Sequence, residues 1–538
     1  MDLASVTESA REGNVARLHD ETVRLHGDAP AIEYHGTTLT HDDLKAESAR
    51  FAGGLADLGL EPGDIMLQYL PNCPPYLIGA LGAFKAGVIV SPVNPQYRKR
   101  ELTYQLEDTE AAAVLTHEAL EPYLEEALET IDWDPVVISV DGEGEDVHAF
   151  ADVRGEERFV ERADDDVALL PYTSGTTGKP KGVQLTHRNF RAQTFSVLAQ
   201  EQALEGEAVK SLVWLPLYHI TGFTHTAWQP LVRGGSVYLR SAANWDGDAA
   251  MKLIEEEGIT HYVGVTAMYV DMINSDDFGE YDLTSLESAG EGGAKMSVAV
   301  QEQFEKTAGV EMAEGYGLTE TNGATHSQRN STFGLRHGTI GQPTRMTEAK
   351  IVDSSGETVP IGEEGELLVR GPQVMKGYHG MPEATDEAFT DDVPASEASG
   401  ESEDSSSGRW FRTGDIARRD EDNYYEIVDR KKHMINSAGY NIYPSELEEL
   451  LAEHEAVAEG AVVRIPDERR NEVPKAFVVT APGVEPGEDV TAEEITEYFL
   501  DNVASYKHPR EVEFIEELPR TTSGKIQKYK LEDGEGDE

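Results

Sequence analysis

Leu170-Pro171-Tyr172-Thr173-Ser174-Gly175-Thr176-Thr177-Gly178-Lys179-Pro180-Lys181-Gly182 is the stretch on which the reading of this chain turns. The apolar residues 167–170 read as a short strand feeding a loop of Ser, Thr and Gly closed by two lysines. Glycines let backbone amides crowd round an anion, and hydroxyls and ammonium groups add donors, which suits a polyphosphate. A plain Gly/Ser/Thr surface loop is the alternative. The length of the run and its place directly after a strand weigh against that. The spacing is not that of a Walker A loop, because Pro180 follows Lys179 where Ser or Thr is required. A nucleotide is expected, held otherwise than by a P-loop.

The chain has 538 residues, too many for one ordinary domain, and its 39% hydrophobic content is evenly spread. It carries 101 acidic against 45 basic residues, a formal net charge of −56. The acids run along the whole length rather than in a tail. That is the surface expected of a protein working in molar salt, where the Debye length falls to about 3 Å at 1 M and repulsion is screened. It argues against nucleic acid and against an anionic membrane as partners. Lysines number only 18, and seven of them (Lys179, Lys181, Lys431, Lys432, Lys525, Lys528, Lys530) fall in three short motifs, which suggests a task for those motifs. With Cys73 as the single cysteine, no internal disulfide and no cysteine zinc site can form, which fits a reducing cytoplasm. The polar start has no signal-peptide core, and no window is long and apolar enough to span a membrane.

Residues 1–165 alternate helical and strand patterns, as in a layered α/β sheet. Thr40-His41-Asp42-Asp43 can cap a helix with Leu44, Phe51, Leu55 and Leu58 on its apolar face. Residues 65–70 and 88–93 read as strands, and 76–86 as a helix ended by Gly87. Residues 212–219 read as a strand running into a loop that presents Tyr218 and His219. Residues 259–265 and 366–370 read as further strands. Ala289-Gly290-Glu291-Gly292-Gly293-Ala294 and Glu314-Gly315-Tyr316-Gly317-Leu318-Thr319-Glu320 each follow a stretch that could end in a strand, where α/β folds place ligand crevices. Tyr316 offers a face for a purine, and Glu320 a hard carboxylate for Mg²⁺. Residues 391–408 are rich in Asp, Glu and Ser and read as an acidic disordered insertion. Asp415, behind Gly414, can accept both hydroxyls of a ribose. Past the cationic segment 429–433, the last hundred residues read as a small α+β domain. Pro444 opens a helix with Leu447, Leu450 and Leu451 on one face. Thr491 to Glu494 forms a capping box before Ile495, Tyr498 and Phe499.

These motifs, in this order and over nearly the whole chain, resemble the adenylate-forming superfamily: acyl-CoA synthetases, aryl-CoA ligases, luciferases and peptide-synthetase adenylation domains. The resemblance implies a large N-terminal domain over 1–429, made of layered α/β sheets with a small β-barrel-like part. A small mobile α+β domain over 430–538 would follow, with its hinge near Lys432. Catalytic roles fall on Lys525, His219, Thr173 and Glu320, the last also as the Mg²⁺ ligand. The nucleotide falls to Thr173, Ser174, Gly175, Thr176, Thr177, Gly178, Lys181, Gly293, Glu314, Gly315, Tyr316, Thr319, Asp415, Arg430 and Lys525. His219, Gly292 and Gly317 fall to the acyl group, and Gly439 and Tyr440 to CoA.

What is implied is an ATP-dependent carboxylic acid–CoA ligase, a fatty acyl-CoA synthetase first of all, using ATP, Mg²⁺ and CoA through an acyl-adenylate. Aryl-CoA ligase, and a non-catalytic nucleotide-binding regulator of the same fold, are the alternatives. Residues 219–223 lack the carboxylate that peptide-synthetase domains place there for an amino group. Asn436 and Ser437 stand where luciferases and coumarate-type ligases have more lysines. Acyl chain length and oligomeric state are left open.

Overall fold

The structure, a computed structural model, describes residues 12–142, 144, 146–173, 180–200, 209–293, 296–329, 331–391, 409–437, 440–467, 469–520 and 526–532. The chain packs as two units: Met1–Glu348 with Val369–Phe411, and Ala349–Leu368 with Arg412–Glu538. Apart from Asp391, the acidic stretch 391–408 lies outside the described residues.

Among its described residues the large unit holds two nine-stranded sheets. In the first, Pro30–Tyr34, Ser236–Leu239, Lys210–Val213, His261–Gly264, Ser288–Gly292 and Met312–Leu318 lie side by side and parallel. Gly323–Ser327 then returns antiparallel to Met312–Leu318. Parallel neighbours need long crossovers, and the sequence supplies helices with their own start and stop signals. Asp246 caps Gly247–Glu257 by accepting from the Ala249 amide, and Gly258 ends it in the left-handed region at φ 61°. Ser297 does the same for Val298–Ala308, which Gly309 ends at φ 71°. Tyr262, Tyr269, Met272 and Phe304 are buried between these helices and the sheet.

In the second sheet Ile65–Gln68 lies between Ile89–Pro92 and Ala113–His117, all parallel. Lys181–Thr186 runs antiparallel to three neighbours: Val167–Leu169, Tyr172–Thr173 and Gly377–Tyr378. The expected helix at Thr40 is His41–Asp57, with the full capping box between Thr40 and Asp43. Leu44, Phe51 and Leu55 are buried as expected, whereas Leu58 lies past the last turn as the C-terminal cap and is only half-buried. Pro74–Ala86 stops at Gly87, φ 79°.

The small unit takes residues 365–368 of the strand Gly365–Arg370 and residues 412–419 of the strand Trp410–Arg419, which pairs antiparallel with Tyr425–Arg430. A second sheet runs Tyr440–Ile442, Ile435–Ser437, Asn471–Thr480, Val457–Asp467, with Glu511–Phe514 added parallel to Asn471–Thr480. Helices Pro444–Ala452 and Ala492–Asn502 bury Leu447, Leu451, Ile495 and Phe499 against Val462 and Val478. Tyr498 stays at the edge of that face, its ring 4.7 Å from His454.

Candidate active site

In the large unit the two feet of the glycine loop meet because their strands pair, Thr173 opposite Lys181. Two tyrosines pin the feet. Tyr104 donates to the Pro180 carbonyl at 2.8 Å, and Tyr172 donates to the Asp108 carboxylate. Burial and Asp108 raise the Tyr172 phenol far above its usual range, so it stays a donor. Ser174, Gly175, Thr176, Thr177, Gly178 and Lys179 lie outside the described residues.

Lys181 places its ammonium 4.7 Å from the ring centre of Tyr378 on the neighbouring strand. The hydroxyl of that phenol donates to Glu320 at 2.9 Å. Glu320 sits in the tight turn Thr319–Thr321 at the end of Met312–Leu318, and its carbonyl accepts from Met375 at 2.7 Å. One carboxylate oxygen thus has a phenol donor, and a carboxylate offers about four lone-pair directions. Among the described residues no three His, Cys, Asp or Glu side chains converge as a metal nest. A Mg²⁺ on Glu320 would therefore complete its shell with water and phosphate oxygens, as that ion commonly does. The residues fit the ion.

The glycine motifs are not loops after strands. Glu291 and Gly292 are strand residues opposite Glu314 and Gly315 on the next strand. A Cβ built at Gly292 or Gly315 would find no atom closer than 3.7 Å, so a methyl group would fit here in ordinary van der Waals contact. Gly293 has φ 117°, a conformation only glycine adopts freely. Gly317 differs, since a Cβ there would lie 1.9 Å from the Gly323 carbonyl oxygen. Tyr316 stands opposite His326, the rings edge-to-face at 5.9 Å.

His219 lies in the loop that follows the strand Lys210–Val213, as its sequence suggested. The strand ends at Val213, and a π-helix, Thr221–Trp228, begins two residues after His219. His219 accepts from the Thr221 amide through Nδ1 at 3.3 Å. The helix sets Thr221 3.9 Å from where a Gly292 side chain would begin. His225 accepts from the Ala324 amide at 3.2 Å through Nε2, so its Nδ1 carries the proton and donates to Gln229. Burial pushes its pKa down to about 4, which keeps the ring a neutral acceptor. Wide π turns occur often at functional sites, and here one ties the His219 segment to the turn after Glu320.

In the small unit Asp415 is only 1% exposed and pairs with Arg430 at 2.7 Å, its partner across two antiparallel strands. Gly414, at φ 73°, turns its carbonyl to the Lys431 amide at 2.9 Å. Lys431 and Arg412 both reach Glu366, at 3.0 and 2.8 Å. Burial, then Arg430, brings the Lys432 ammonium down to about 8. Asp429, not singled out in the sequence, accepts from the Arg430 amide at 2.6 Å and from the Ser445 amide at 3.0 Å. It thereby anchors the helix Pro444–Ala452 to the cationic segment. Gly439, the Tyr440 side chain and Lys525 lie outside the described residues.

The AMP-binding enzyme model matches residues 19–379, and the AMP-binding enzyme C-terminal domain model matches 446–525. The long-chain-fatty-acid–CoA ligase of Bacillus subtilis (strain 168) is 34% identical over 547 residues, 96% of this chain and 93% of its own. The feruloyl-CoA synthase of Amycolatopsis sp is 35% identical over 505 residues, 94% of this chain and 96% of its own. An anthranilate CoA ligase solved in complex with anthranoyl-AMP superposes with a TM-score of 0.86 at 25% identity, over 100% of this chain and 99% of its own. The chain belongs to the AMP-binding enzyme family.

Proposed function

We propose that the protein is an ATP-dependent acid–CoA ligase acting on fatty acids. The observation that carries this reading is the placing of Lys181 and Glu320, a phosphate-binding cation and a hard carboxylate, against one phenol at the foot of the glycine loop. The likeness to a long-chain-fatty-acid–CoA ligase supports the substrate class.

In this reading a carboxylate attacks the α-phosphorus of ATP, pyrophosphate leaves, and the acyl-adenylate gives its acyl group to the CoA thiol with loss of AMP. Negative charge gathers on oxygen in both steps, and each positioned donor that meets it is worth roughly 3 to 4 kcal/mol. Residues 173–181 hold the β- and γ-phosphates. Tyr316 stacks on the adenine beside Gly293, Glu314, Gly315 and Thr319. Asp415 and Arg430 hold the ribose. Thr221, Gly292 and Gly317 border the acyl group with His219. Mg²⁺ on Glu320 neutralises triphosphate charge when bound. Lys525 meets the carboxylate and the α-phosphate in the first step, and Gly439 and Tyr440 guide the thiol in the second. Residues 430–538 move as a domain about Lys432 between the two steps. The single buried cysteine and the acidic surface suit a reducing, salt-rich cytoplasm. Among the described residues no helix is long and apolar enough to cross a membrane.

AMP release with palmitate, hexanoate and benzoate in molar KCl tests the activity. Fastest turnover with palmitate is expected. Fastest turnover with benzoate moves the protein to the aryl-CoA ligases, which the feruloyl-CoA synthase likeness keeps as the second reading. No acid-dependent AMP at all makes it a nucleotide-binding regulator. Lys525→Ala separates the half-reactions. It should cut pyrophosphate release by orders of magnitude and spare thioester formation from a synthetic acyl-adenylate. Equal loss of both steps in a folded variant would sink the alternating-domain scheme.

A further inference from the structure

We propose that Tyr378 is a positioning residue for the nucleotide's metal ion, holding the Glu320 carboxylate in place and keeping it from pairing with Lys181. The inference rests on the reading of Glu320 as the Mg²⁺ ligand. Tyr378 lies on the edge strand Gly377–Tyr378, opposite Val183. Lys181, two residues from Val183, projects on the same face, because side chains alternate along a strand. That register brings the ammonium over the phenol ring at 4.7 Å, while the hydroxyl at the ring's edge donates to Glu320 at 2.9 Å.

A lysine and a glutamate beside each other would join in an ion pair and cancel. Here the ring face occupies the cation and the hydroxyl occupies one carboxylate oxygen, so each charge keeps its outward directions for a ligand. The seat itself is held by backbone bonds. Met375 donates to the Glu320 carbonyl at 2.7 Å, Lys376 to the Gln184 carbonyl at 2.9 Å, and Tyr378 to the Thr385 hydroxyl at 2.9 Å. Tyr378 therefore cannot shift without moving the turn that carries Glu320.

The test is Mn²⁺ affinity, read by electron paramagnetic resonance on the full-length protein with α,β-methylene-ATP, in wild type, Tyr378→Phe, Glu320→Gln and the double variant. Losing one donor to a charged group should raise the Mn²⁺ dissociation constant of Tyr378→Phe about 10- to 100-fold. The double variant should match Glu320→Gln alone, since Tyr378 acts only through Glu320. Tyr378→His, which keeps a donor on a ring, should recover affinity and guards against a folding defect in the Phe variant. An unmoved constant in folded Tyr378→Phe, or additive effects in the double variant, overturns the proposal while leaving Glu320 as the ligand. An unmoved constant in Glu320→Gln overturns the metal reading, and the proposal with it.

Discussion

Asp415 pairs with Arg430 at 2.7 Å while nearly all of its surface is covered, and that places an acceptor on a pair of antiparallel strands. If it takes the ribose hydroxyls, Asp415→Ala should raise the AMP dissociation constant about 10- to 100-fold, the worth of a hydrogen bond to a charged group. CoA affinity should hardly change. Calorimetry with both ligands checks this, and an unchanged AMP constant refutes the assignment. Three buried histidines make a second statement at this scale. Burial pushes His187, His261 and His326 down to about 3, so the fold keeps them neutral. In the unfolded chain they titrate near the ordinary value of 6.5. Depressed histidines stabilise fully above 6.5, and that contribution drains away as pH falls from there towards 3, because the unfolded state binds the protons first. The thermal midpoint in molar KCl should therefore drop between pH 7.5 and 5. A flat midpoint over that span would contradict the burial of these rings.

The strand Met312–Leu318 shows two kinds of glycine at the scale of one element and its neighbour. Gly317 is required by the close approach of the Gly323 carbonyl, whereas a methyl group at Gly292 on the adjoining strand would make only ordinary van der Waals contacts, at 3.9 Å and beyond. Gly317→Ala should cost about 1 to 3 kcal/mol through overpacking. Gly292→Ala should leave the thermal midpoint unchanged and slow turnover of long acids. Melting curves and an acid panel on both variants separate packing from specificity. The reverse pattern would exchange their roles. The same contrast explains what could be read from the chain beforehand. The Thr40 and Thr491 capping boxes, Pro444 at a first turn and Gly87 after a helix are local rules, and each stands where the sequence put it. The π-helix after His219 carries no periodic signal, because its register is set by His225 reaching Ala324 almost a hundred residues on. Tyr378 and Asp429 were missed for the same reason. Each takes its meaning from partners distant in sequence, Glu320 for one and Ser445 for the other. The sequence ties the glycine motifs to strand ends, and the structure sets them on the strands Ser288–Gly292 and Met312–Leu318 instead of after them.

At the scale of the whole molecule the formal charge of −56 dominates. Repulsion reaches over about 30 Å at 0.01 M salt and about 3 Å at 1 M. Activity and thermal midpoint should both rise from dilute buffer to molar KCl, and a falling midpoint would rule out a surface adapted to salt. The pairing of Lys181–Thr186 with Gly377–Tyr378 adds a matter of timing. A ribosome adds about 5 to 20 residues per second, so the strand bearing Lys181 waits roughly 10 to 40 s for its outer neighbour to emerge. Throughout that wait the nascent chain presents a bare strand edge to every other chain nearby. The carboxylates that burden the finished molecule in dilute buffer would then be guarding its birth.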